Sequence, residues 1–332
     1  MSEPAPHRRA FLRRLVIAGA GGAGFWVVHR QLTWPTPRVS FARDGWSGWL
    51  ELPLVGGLIV LAARVGAETV QAVLDSGAQY SAVDASLAQR LSLPSATPLP
   101  MVAFGVSGAP SLTRAVTLDA DLGSFGLKGL RAATLNLQPL SRLTRQPFSL
   151  LLGRDAMRAM VVEADFPGRR VAVFAPGRWT PPAGAKPVAV RMQTGGLMVP
   201  VRVEDAPPVE VLLDTGATGA LALSEATARA AGLMDGRPLR TGQSVTLGGV
   251  SEDGMVRASQ VEFAGHAIND IEVQIYRPEA HSPAPAGLLG LGMLSRFHLG
   301  LDLPGARAFL IGPQQPPPTP PERRRPTRFT RN

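Results

Sequence analysis

Two segments of this chain, Val73-Leu74-Asp75-Ser76-Gly77-Ala78 and Leu212-Leu213-Asp214-Thr215-Gly216-Ala217, drive an apolar run straight into an aspartate, a hydroxyl residue, a glycine and an alanine. One Asp-Ser/Thr-Gly tripeptide is usually an ordinary turn. Two of them inside the same longer pattern constrain the whole fold. Asp75 precedes Gly153 of Leu151-Leu152-Gly153 by 78 residues, and Asp214 precedes Gly290 of Leu288-Leu289-Gly290 by 76. Each glycine is followed 12 residues later by an aspartate in a matching tail, Ala164-Asp165-Phe166-Pro167-Gly168-Arg169 against Leu301-Asp302-Leu303-Pro304-Gly305-Ala306. Both copies place a capped helix signal between these landmarks, Asp84 ahead of Ala85 to Leu91 and Ser224 ahead of Glu225 to Ala230. Glycine-bearing loops follow at Gly105-Val106-Ser107-Gly108 and Gly248-Gly249-Val250-Ser251. The chain is one unit written twice.

Two carboxylates, each carried by a buried strand onto a tight glycine turn, can face each other across a pseudo-two-fold axis and share one proton. One then stays ionised as a base while the other is an acid. Thirty-six glycines, thirty-one prolines and short apolar runs such as Val188-Ala189-Val190, Val199 to Val203 and Val261-Glu262-Phe263 predict many short strands broken by turns, an all-β body with few helices. The expected organisation is a first lobe over 40–175, a stiff Pro/Gly linker over 176–187, a second lobe over 188–312 and a disordered basic tail over 313–332.

These residues resemble the pepsin and retropepsin superfamily of aspartic proteases, closest to its bacterial retropepsin-like branch. The likeness rests on Asp-Ser-Gly-Ala at Asp75, Asp-Thr-Gly-Ala at Asp214, the apolar segments ending at Gly153 and Gly290, and Gly153-Arg154-Asp155. It spans roughly Leu50 to Gly312. The resemblance implies a bilobal acid-protease fold of two barrel-like lobes with the site in the cleft between them. It also implies peptide hydrolysis by a water activated between Asp75 and Asp214, without a cofactor. Ser76, Gly77, Thr215 and Gly216 would support the catalytic loops, and Gly105, Gly108, Gly248 and Gly249 would lie in flaps over a peptide or protein substrate. The second copy reads Gly290-Leu291-Gly292, so Arg154 has no counterpart, and neither glycine loop carries a tyrosine. Two other readings stay open. The fold can be kept as a catalytically silent binding or scaffold module of the cell envelope, and lobes can pair between two chains. Complementary lobes in one chain point to a monomer with internal pseudo-symmetry.

The net charge of +9 sits at the ends: residues 1–30 and 313–332 each hold five arginines against one glutamate, leaving the body a single positive charge. A near-neutral body lacks a phosphate-binding footprint, so no nucleic-acid partner is expected. Arg8-Arg9 and Arg13-Arg14 ahead of the fourteen-residue apolar stretch Leu15 to Val28 resemble a twin-arginine export signal over 1–30. That stretch is shorter than the ~20 residues of a comfortable bilayer span. The expectation is a periplasmic protein, either released or held at the inner membrane through this segment. Gly19-Ala20-Gly21-Gly22-Ala23-Gly24 matches dinucleotide-fingerprint spacing, but no strand leads into it. With no cysteine and with five histidines in no paired spacing, no metal site is expected.

Overall fold

The structure, a computed structural model, describes residues 34–52, 57–96, 101–103, 111–143, 147–194, 196–246, 249–278 and 284–311. Within them the chain is mostly β, and the two copies fold alike. In the first, strands Val60–Val65, Glu68–Leu74, Leu150–Leu152, Ala82–Asp84, Phe125–Leu135 and Ala115–Asp121 pair in that order, and the last returns to the first at Arg64 and Asp121. The second copy repeats the circuit with Gly196–Val203, Val209–Leu213, Gly287–Leu289, Leu221–Ser224, His266–Tyr276 and Gly249–Phe263, closed by the pairing of Val201 to Val203 with Phe263 to Val261. Each circuit is a closed six-stranded barrel-like sheet, which leaves its core strands no free edge. Among the described residues no helix is long and apolar enough to cross a membrane.

Burial explains the strand patterns. Val60–Val65 alternates along its outer half, with Ala62 and Arg64 exposed between buried neighbours, whereas Ala72, Val73 and Leu74 are all buried because protein covers both faces there. The helices follow their caps: Ala85–Arg90 opens on Asp84, whose carboxylate accepts from Ser86 N, and Glu225–Ala230 opens on Ser224, which accepts from Thr227 N. The apolar run Val188-Ala189-Val190 differs from expectation. Strand Ala185–Val188 ends at Val188, and the next two residues lead into the edge strand Arg191–Gln193.

A third sheet joins the lobes. Its order is Ala185–Val188, Arg307–Ile311, His298–Asp302, Val161–Asp165, Arg170–Phe174 and Leu50–Glu51. At its centre the matching tails of the two copies pair antiparallel, Val162 with Leu301 and Ala164 with Leu299, and every residue of both strands is buried. Each tail hairpin is closed the same way. Gly168 N donates to Asp165 Oδ1 at 2.8 Å and Arg170 Nε to Oδ2 at 2.9 Å, while Gly305 N and Arg307 Nε do the same to Asp302 at 2.8 and 2.9 Å. The repeated Asp-x-Pro-Gly-x-Arg is therefore a self-capped turn, with Arg169 and Ala306 at φ near +50°.

A buried polar cluster pins this sheet. Glu163 accepts from Trp179 Nε1 at 2.6 Å, and its other oxygen lies 2.8 Å from His298 Nε2, so the first lobe, the segment between lobes and the second lobe meet on one carboxyl group. Trp179 packs against Gly300, where a Cβ would stand 2.6 Å from the indole. Glu163→Ala strands two buried nitrogen groups and is expected to cost about 2–4 kcal/mol. Urea unfolding is the check, and a loss under about 0.5 kcal/mol, the level of an ordinary surface change, would remove the cluster from the stability argument.

Candidate active site

Each candidate aspartate sits where an inner barrel strand runs out. Strand Glu68–Leu74 lies parallel to Leu150–Leu152, and Asp75 N donates to Leu152 O at 2.9 Å; Val209–Leu213 lies parallel to Gly287–Leu289, and Asp214 N donates to Leu289 O at 2.9 Å. These paired strands fix the exit direction of the chain at both carboxyls. Gly153 and Gly290 continue the supporting strands past the turn, so close that a Cβ on Gly153 would stand 2.6 Å from Tyr80 C and one on Gly290 would collide with Gly219 O. The Leu-Leu-Gly landmarks are therefore steric requirements of the site.

Past the aspartates the two loops are locked together. Ser76 N donates to Thr215 Oγ1 at 2.9 Å, and Thr215 N donates to Ser76 Oγ at 3.0 Å. Each hydroxyl then donates onward across the axis, Ser76 Oγ to Leu213 O and Thr215 Oγ1 to Leu74 O, both at 2.8 Å. All four bonds are buried and all four cross between lobes. A Cβ on Gly77 would collide with the Asp214 carboxyl and one on Gly216 with that of Asp75, so each glycine makes room for the opposite aspartate.

The structure thus brings together Asp75, Ser76, Gly77, Asp214, Thr215 and Gly216. Gly105, Gly108 and Gly248 lie outside the described residues, and Gly249 is the first residue of strand Gly249–Phe263. Sequence reasoning did not place three further residues that brace the first loop. Asp155 accepts from Ser81 N and Ser81 Oγ, each at 2.8 Å, and from Trp34 Nε1 at 2.8 Å. Asp155 carried a signal in the Gly-Arg-Asp motif. Trp34, 121 residues away, carried none.

The carboxyls are unequal. Asp75 Oδ1 accepts from two backbone groups, Gly77 N at 2.9 Å and Ala78 N at 2.8 Å, whereas Asp214 Oδ1 accepts from Gly216 N at 2.8 Å. Ala217 N turns instead to the Asp214 main-chain oxygen at 3.4 Å. The two side chains converge, the Asp214 carboxyl lying against Gly77 and the Asp75 carboxyl against Gly216 of the opposite loops. Burial pushes Asp75 above the usual carboxylate range, opposed by the N–H groups of Ala78 and Gly77. Burial, and then the charge of Asp75, push Asp214 up from 3.8 to about 8. A carboxylate with more N–H donors is the better ionised partner, so the backbone favours the negative charge on Asp75 and the proton on Asp214. Among the described residues no group of three or more His, Asp or Glu could hold a metal.

This electrostatics predicts a pH dependence of stability. Between 3.8 and about 8 the folded state holds a proton at Asp214 that the unfolded chain has released. Stability therefore falls as pH rises through that window and levels off above it. Asp214→Asn, which stays neutral, is expected to flatten this slope in denaturant unfolding between pH 4 and 8. An unchanged slope in the variant would contradict the raised value.

The family model described as aspartyl protease matches the chain twice, over residues 61–156 and 199–293, once in each barrel. Among solved structures, the crystal structure of a retropepsin-like aspartic protease from Rickettsia conorii is similar at 19% identity, over 38% of this chain and 89% of that one, with a TM-score of 0.30. No curated protein matches. The two family matches cover more than half of the residues, and each ends just past a Leu-Leu-Gly strand; the chain belongs to the aspartyl protease family and carries that family's unit twice, fused in one polypeptide.

Proposed function

We propose that this protein is an aspartic endopeptidase that hydrolyses peptide bonds of peptides or proteins by direct attack of water. The observation that carries this reading is the convergence of Asp75 and Asp214, each carboxyl against the opposite loop's glycine and both loops held by the crossed bonds of Ser76 and Thr215. The ionised Asp75 accepts a proton from a bound water while the protonated Asp214 donates a hydrogen bond to the substrate carbonyl oxygen. The oxygen gains charge as water attacks, and the proton of Asp214 neutralises it. Collapse of the tetrahedral species returns a hydroxyl proton to Asp214 as the carbonyl re-forms and expels the amine, which takes up the proton that Asp75 gained. Both carboxyls return to their starting states, so no covalent enzyme intermediate and no cofactor is needed.

Asp75→Asn and Asp214→Asn are each expected to lower turnover of a cleavable peptide roughly a thousandfold or more while the fold persists. The assay is cleavage of a mixed peptide library with and without pepstatin, followed across pH. The rate should trace a bell, lost at high pH when the shared proton leaves and at low pH when Asp75 takes a second one. Wild-type turnover in either variant would reject the dyad, and cleavage of no peptide by the parent protein would favour a binding module.

We also propose that the protein is exported in folded form. Arg8, Arg9 and the apolar stretch from Leu15 to Val28 support this reading; they lie outside the described residues. Replacing Arg8 and Arg9 by lysine is expected to leave the protein in the cytoplasm, and fractionation that still finds it in the periplasm would reject export by this route.

A further inference from the structure

Behind the Asp75 loop lies a group that the duplicated architecture does not repeat. Arg154 opens the short helix Arg154–Met157 and is only 6% exposed. Its Nη1 donates to Gly77 O at 3.1 Å and to Ser76 O at 3.3 Å. These carbonyls belong to the two peptide groups whose N–H ends, at Gly77 and Ala78, donate to Asp75 Oδ1. The guanidinium and the carboxylate therefore hold opposite ends of the same two peptide dipoles, and each polarises them in the sense that strengthens the other's bonds.

The second lobe supplies the contrast. At the position matching Arg154 stands Leu291, 1% exposed, and there a single N–H, that of Gly216, reaches the carboxylate. The guanidinium is accommodated by Gly196 of the second lobe, where a Cβ would stand 2.8 Å from Arg154 Nη1 and 2.5 Å from Leu212 Cδ1. Strand register fixes the counterpart of Gly196: Met198 pairs with Leu212 as Val60 pairs with Val73, so Gly196 corresponds to Leu58, 2% exposed. One side of the pseudo-axis thus uses a Leu and Leu combination and the other an Arg and Gly combination. Two leucines satisfy the packing, so packing alone does not call for a buried cation, whose desolvation is costly.

We propose that Arg154 is the buried counter-cation of the aspartate pair and a positioning residue that acts through the Ser76 and Gly77 carbonyls to make Asp75 its ionised member. The inference rests on the reading of Asp75 and Asp214 as a proton-sharing pair. Other charges on the elements packed around Arg154 are engaged elsewhere. Asp155 is bound by Ser81 and Trp34, Arg202 lies 3.8 Å from Glu262, and Glu210 lies 3.9 Å from Arg191. The charge of Arg154 lowers the proton affinity of both Asp75 and Asp214, although burial outweighs it.

The test removes the charge and keeps the packing. The double variant Arg154→Leu with Gly196→Leu recreates the combination found at Leu291 and Leu58, and Arg154→Met is a second neutral variant that leaves Gly196 untouched. Carboxyl carbons of Asp75 and Asp214 are followed by NMR as pH is varied. Either neutral variant is expected to move the protonation of Asp75, the second of the pair, and with it the acid limb of the rate profile, toward alkaline pH by about one pH unit, while Arg154→Lys leaves it near the parent position. Midpoints unmoved in a folded neutral variant would overturn the proposal and make Arg154 a packing residue. The titration needs no substrate: failure of the parent protein to cut peptides would count against the proposed hydrolysis, and the NMR midpoints would still decide the role of Arg154.

Discussion

Four hydrogen bonds between two loops hold the site together, because the hydroxyls of Ser76 and Thr215 each accept from the opposite loop's N–H and donate to the last carbonyl of the strand that leads into that loop. A hydroxyl can do both at once, which an alanine or valine at either position could not. Since the bonds are buried, breaking one leaves a polar group without water to replace its partner. The two barrels are thereby fixed to each other at the point where their carboxyls must meet. The shared sheet fixes them again through Glu163, Trp179 and His298.

The glycines of the repeat are explained by this convergence. Gly77 and Gly216 are bare so that each opposing carboxyl fits against the backbone, and Gly153 and Gly290 are bare so that the supporting strand can pass the loop. None of the four needs a positive φ. Their requirement is space, whereas at Arg169 and Ala306 the hairpin turn imposes a left-handed backbone on side-chain-bearing residues and the Asp165 and Asp302 carboxylates stabilise it.

Within this duplicated frame the chemistry is asymmetric. Two N–H donors face Asp75 and one faces Asp214, and a cation stands behind the first loop where the second has a leucine. A symmetric pair would hold its proton equally on either side. In the proposed mechanism the backbone selects Asp75 as the base before any substrate arrives, which lowers the reorganisation required during reaction.

The duplication, the two aspartates, their supporting Leu-Leu-Gly strands, the capped helices and the β-rich body are legible along the chain, because each depends on local chemistry or on repetition. Asp84 and Ser224 announce their helices through hydrogen bonds to residues two or three positions away, and the paired motifs carry their own spacing. Relations between residues far apart in the chain emerge with the three-dimensional fold alone. Trp34 on Asp155, Glu163 between Trp179 and His298, and Gly196 against Arg154 leave no periodic trace, since each needs one side chain or one absent side chain at a point fixed by the fold. The inequality of the two carboxyls belongs to the same class: it lies in which N–H groups the turned backbone presents, and two nearly identical motifs conceal it.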